Sequence, residues 1–113
     1  IAATKVTFGT EVFDVGSAFA SSTWTPPAGT VHIVANINVI NAASILYIHL
    51  YKNGSASQTS AISSVGSSET LRLNVIDQCN GTDAYDVYVE CSGDSSYTVM
   101  GTAALTFFCG TMV

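Results

Sequence analysis

Apolar and polar residues alternate with a period of two along most of this chain. The longest run, residues 25–39, reads TPPAGTVHIVANINV. Val31, Ile33, Ala35, Ile37 and Val39 fall on one face. His32, Asn36 and Asn38 fall on the other, with Val34 and Ile40 as apolar exceptions. Alternation of this length predicts a half-buried antiparallel strand. Pro26 and Pro27 cannot donate to a ladder, so the strand is expected to start after them, beyond a flexible corner at Ala28-Gly29.

Later stretches repeat the pattern. Leu46, Ile48 and Leu50 alternate with Tyr47, His49 and Tyr51. Asn53-Gly54 follows directly, and both residues tolerate positive φ, so a hairpin is predicted there. Leu71, Leu73 and Val75 alternate with Arg72 and Asn74, and Asn80-Gly81 predicts a second turn. Tyr85, Val87, Val89 and Cys91 alternate with Asp86, Tyr88 and Glu90. Residues 97–108 are expected to form one last long strand, ending at Gly110. Residues 1–8 and 12–16 predict weaker strands, and residues 17–24 a loop with a short strand. Residues 55–68 are polar and simple in composition, enough for one thin edge strand and a loop. Helical spacing is nowhere sustained. Roughly eight to ten short strands separated by Gly, Asn or Pro predict an all-β sandwich or barrel. With no repeat and no linker, residues 1–113 form one domain.

Composition changes the picture in one respect. Charged residues are 10% of the 113 and hydrophobic residues 48%, against about 25% charged in an ordinary domain. So few charges leave neutral hydroxyls and amides to wet the surface, or copies of the chain to cover it. The net charge is −5, and Lys5, Lys52 and Arg72 are the only basic side chains. Nucleic acid and anionic membrane are disfavoured as partners. No apolar run approaches the ~20 residues of a membrane span. The chain starts at Ile1 rather than Met and is expected to be a module of something longer.

The cysteines, Cys79, Cys91 and Cys109, are odd in number. If Asn80-Gly81 were a hairpin turn, Cys91 would lie across from Leu71 or Arg72, too far from Cys79 to bond. Free buried thiols are expected, which suits assembly in a reducing cytoplasm.

Five segments then carry a resemblance: Phe13-Asp14-Val15-Gly16 with Phe19; Trp24-Thr25-Pro26-Pro27-Ala28-Gly29-Thr30-Val31; Leu50-Tyr51-Lys52-Asn53-Gly54; Asp83-Ala84-Tyr85-Asp86-Val87-Tyr88-Val89; and Phe107-Phe108-Cys109-Gly110. In this order and spacing the chain resembles the globular heads of the C1q/tumour-necrosis-factor jelly-roll superfamily, most closely bacterial and bacteriophage members at fibre tips. The likeness covers about residues 6–113. It departs at Thr82, where the family has Gly, and at Cys109, where it has Ser. The resemblance implies a ten-stranded antiparallel jelly-roll sandwich assembling as a compact homotrimer. Tyr47, Tyr51, Tyr85 and Phe107 are then the candidates for the subunit contact, because aromatics concentrate in interface cores. Filling the subunit's own core is the competing role for each.

Nothing in the sequence suggests catalysis. His32 and His49, the only histidines, lie mid-strand outside zinc-type spacing. There is no G-x-S-x-G elbow. Asp77, Asp83, Asp86, Glu90 and Asp94 gather late in the chain, where turn-making and solubility explain them better than a glycosidase pair. Some members of the resembling family bind calcium, and Asp77, Asn80 and Asp83 frame one turn at suitable spacing for it. No other cofactor is expected. Asn53-Gly54-Ser55 and Asn80-Gly81-Thr82 match the glycosylation acceptor pattern, and in a bacterial or phage protein would be turns only.

The reading is a non-enzymatic trimeric head domain of a phage tail fibre or similar surface fibre, on a virion or cell surface. It would trimerise the fibre and bind a cell-surface ligand, a glycan before a protein receptor. Residues 55–68, 78–84 and 92–96 are the expected binding loops, with Asp77, Asn80, Asp83, Asp94 and Ser96 as candidate contacts. The alternative is a structural trimerisation clamp or virion decoration without a ligand.

Overall fold

The computed structural model describes residues 3–6, 19–20, 22–40, 45–63, 68–92, 97–100 and 106–113. The expected strand at 12–16 lies outside them. The described residues form β1 (Thr4–Lys5), β2 (Phe19–Ala20), β3 (Thr23–Trp24), β4 (Gly29–Ile40), β5 (Ile45–Lys52), β6 (Ser55–Ser63), β7 (Glu69–Cys79), β8 (Tyr85–Cys91), β9 (Thr98–Val99) and β10 (Phe107–Met112). All pairings are antiparallel.

The strands fall into two sheets. One runs β2-β3-β8-β5-β6, with β1 also on β8. The other runs β10-β4-β7, with β9 also on β4. The alternating rows face each other across the gap. Val31, Ile33, Ala35, Ile37 and Val39 of β4 are fully buried, as are Leu46 and Ile48 of β5 and Tyr85 and Val87 of β8. Leu71 and Leu73 of β7 join them. Each such Val, Ile or Leu side chain contributes about 1.5–3 kcal/mol by leaving water, so these two facing layers are the core of a sandwich.

The strands form for the reasons the pattern suggested. β4 begins at Gly29, just past the prolines. Asn53 at φ 54° and Gly54 at φ 84° reverse the chain between β5 and β6, a turn twisted to match the strands it joins. β6 is the edge strand, and only its Ile62 packs on the core; its other side chains are Ser, Ala, Gln and Thr.

Three expectations fail. The Asn80-Gly81 turn is no hairpin: it carries the chain from β7 in one sheet to β8 in the other. Cys91 therefore lies opposite Leu46, not Leu71 or Arg72. All three thiols are free, but only Cys91 is buried; Cys79 is half-buried and Cys109 exposed. The last long strand divides into β9 and β10, which pair with different stretches of β4, Val39–Ile40 and Val31–Asn36. Residues 55–63 form the thin edge strand expected there.

Candidate functional site

Two groups of polar and aromatic side chains stand out. The first joins the sheets at one end. The Asn53 turn leaves Lys52 at the end of β5, in register with Tyr85 at the start of β8. Asp77 comes from β7 in the other sheet. Lys52 Nζ lies 3.0 Å from Asp77 Oδ2 and 3.8 Å from Asp83 Oδ2, and donates to Gln78 O at 3.0 Å. The Tyr85 hydroxyl donates to Asp77 Oδ2 at 2.8 Å. Asn53 Nδ2 donates to Asp83 Oδ1 at 2.7 Å, and Asn80 N–H to Asp83 Oδ2 at 3.0 Å.

These contacts bias the charges. Burial pushes Asp77 upward, but hydrogen bonds from Lys52 and Tyr85 outweigh it and leave the carboxyl below its ordinary range. The Asn53 hydrogen bond holds Asp83 low, against some desolvation and with help from the Asn80 N–H. Lys52 is raised, chiefly by its bond to Asp77. Tyr85 is raised by burial and then by Asp77.

Asp77 and Asp83 are thus brought together as the sequence suggested, on the Lys52 ammonium, and Asn80 joins them through its N–H to Asp83. Among the described residues, no group of three or more His, Cys, Asp or Glu could hold a metal ion. Asp94 and Ser96 lie outside the described residues. Tyr85 is 0% exposed. It fills the core of the sandwich, the competing role named for it.

The second group covers the outer face of β5 and β8. Tyr47 stacks on His49 with centroids 6.0 Å apart, His49 meets Tyr51 edge-on at 6.1 Å, and Tyr51 stacks on Tyr88 at 3.8 Å. His49 Nε2 lies 2.9 Å from Glu90 Oε1, and its Nδ1 2.8 Å from Thr59 Oγ1 on β6. Lys5 Nζ bonds Thr23 Oγ1 at 2.8 Å and pairs with Asp86 at 3.3 Å. Thr59, His49 and Glu90 align a hydroxyl, an imidazole and a carboxylate. The β5 amides beside them pair with β6 and β8. The arrangement suits contact with a flat partner. The pairing of Glu90 with His49 was not foreseen, because a chain read alone does not show which strand lies beside which.

The opposite outer face, on β10-β4-β7, carries the pairs His32–Asn74 and Arg72–Asn36, the Arg72 Nε–H donating to Asn36 Oδ1 at 3.0 Å, beside exposed apolar side chains. Ile76 is 69% exposed and Phe107 38%. Val34 lies between Cys109 and Asn74, and His32 between Thr111 and Ile76. Ile76 was missed, although an isoleucine on the outward phase of a strand was its visible signal.

No protein-family model matches the chain, and no curated protein matches it.

Proposed function

We propose that this chain is a non-enzymatic head domain of the C1q-like jelly-roll type, trimerising a phage tail fibre or similar surface fibre and binding a cell-surface glycan. The strand order supports the jelly-roll reading. The chain changes sheet between β3 and β4, β4 and β5, β6 and β7, β7 and β8, and β8 and β9, and each central strand, β4 and β8, is flanked by partners distant in sequence. The three free thiols suit assembly in a reducing cytoplasm.

The observation that carries the proposal is the pair of exposed apolar side chains Ile76 and Phe107, with half-buried Val34 on the same face, in a chain with 10% charged residues. A threefold contact is heterologous, so each copy offers two different surfaces. The outer faces of a sandwich point in opposite directions, and copies stacked face to face would make an open row. A closed ring instead sets one face against a neighbour's edge. In this arrangement Phe107, with Ile76, belongs to the contact. Tyr47 and Tyr51 stay outside it, beside Tyr88, His49 and Glu90, where ring edges and hydrogen-bonding groups meet a glycan.

Light scattering on the isolated chain tests the assembly: three chains of 11.7 kDa, about 35 kDa, are expected, and a monomer refutes the trimer. A glycan array tests the ligand, with Tyr51→Ala expected to abolish binding. A stable trimer that binds nothing on the array reduces the role to a clamp.

A further inference from the structure

The chain holds two Asn-Gly pairs, Asn53-Gly54 and Asn80-Gly81, in opposite situations. At Asn53 the side chain is held at both ends: Nδ2 donates to Asp83 Oδ1 at 2.7 Å, and Oδ1 accepts from Ala84 N at 2.9 Å. Its own N–H donates to Ala84 O at 2.8 Å. At Asn80 only the oxygen is held. Oδ1 accepts from Thr82 N and Thr82 Oγ1, both at 2.9 Å. No described acceptor takes Asn80 Nδ2 or the Gly81 N–H. Asn80, Gly81 and Thr82 are all exposed.

We propose that Asn80 is a self-modifying position, converting to aspartate and isoaspartate through a cyclic imide with Gly81, while Asn53 stays intact. A bond from Asn80 Oδ1 to the amide two residues on folds the side-chain carbonyl back across the Gly81 peptide, close to the nucleophile. Solvent base takes the Gly81 amide proton, and the nitrogen attacks Asn80 Cγ. The negative charge that develops on Oδ1 faces the two Thr82 donors, which act as an oxyanion hole. The Cγ–Nδ2 bond breaks, Nδ2 takes a proton from water and ammonia leaves. Water then opens the imide at either carbonyl, giving aspartate or isoaspartate. Gly81 has no β-carbon to hinder the approach. Both products add one negative charge beside Asp83. Isoaspartate also lengthens the main chain by a methylene where it crosses between the sheets.

The same chemistry at Asn53 requires breaking both side-chain bonds first. That slows it roughly tenfold or more.

The test is peptide mapping by mass spectrometry after incubation of the folded chain at mildly alkaline pH, with a urea-denatured sample alongside. Each conversion replaces NH by O, and enzymatic methylation scores isoaspartate. In the folded chain Asn80 is expected to convert at least about tenfold faster than Asn53, and in urea at a similar rate. A folded ratio no larger than the denatured one overturns the proposal. Thr82→Ala removes one of the two donors and is expected to slow Asn80 about two- to tenfold, with Thr82→Ser restoring it. A Thr82→Ala chain that converts as fast as the original overturns the part assigned to Thr82.

Discussion

The indole of Trp24 lies flat against Gly110. A β-carbon at Gly110 would sit 2.3 Å from Trp24 Cζ3 and 2.5 Å from Cε3 and Cη2. Trp24 belongs to β3 in one sheet and Gly110 to β10 in the other, so this contact closes the sandwich along one side. Gly110→Ala is therefore expected to cost about 1–3 kcal/mol by overpacking, read from the urea midpoint. In a Trp24→Ala background the same change should cost much less. Additive losses would show that the two residues are not coupled.

The Lys52, Asp77, Asp83 and Tyr85 cluster makes stability depend on pH at both ends. Asp77 and Asp83 lie below their ordinary values when folded. The unfolded chain binds protons there first, so their stabilisation is present above about pH 4 and lost as pH falls through the lower folded values. Lys52 and Tyr85 are raised, so theirs is present below about pH 10 and lost as pH climbs beyond it. Lys52→Met should lower the thermal midpoint at neutral pH and flatten the acid-side decline. Thermal melts across the pH range check this, and an unchanged acid limb would show that Lys52 does not hold the two carboxylates.

Tyr51 and Tyr88 stack with centroids 3.8 Å apart and planes 15° from parallel. A double-mutant cycle with Tyr51→Ala and Tyr88→Ala should return a coupling of about 0.5–1.5 kcal/mol. Zero coupling would mean that each ring packs on the sheet independently. The glycan array reads the same variants for ligand contact, separately from stability.

The rows that build this sandwich were legible because burial on one face imposes a period of two. Val31 to Val39 and Leu46 to Leu50 read as strands and are strands. Tyr85 was legible too, since it keeps phase with Val87, Val89 and Cys91; only its aromatic character suggested an interface. What stayed hidden is what neighbouring strands decide. Asn80-Gly81 encodes a reversal but not which sheet receives the chain, and so the position of Cys91 was misjudged. Nothing near Asp77, Asn80 and Asp83 in sequence announces Lys52, which arrives from β5. The split between β9 and β10 depends on pairing with β4, which a single strand's pattern does not contain.

Ile76 separates assembly from folding. Its side chain is 69% exposed on β7, in register with His32, and takes no place among the buried rows. A carboxylate there should leave the subunit fold intact. In the proposed trimer it would be buried against the neighbouring copy, at a cost of several kcal/mol per copy. Ile76→Asp is therefore expected to reduce the scattering mass from about 35 kDa to the 11.7 kDa of one chain, with an unchanged β-type circular dichroism spectrum. Phe107→Asp should act alike, while Tyr47→Ala should remain trimeric. Dissociation by Tyr47→Ala but not by Ile76→Asp would move the contact to the tyrosine face and leave the Ile76 surface in need of another explanation.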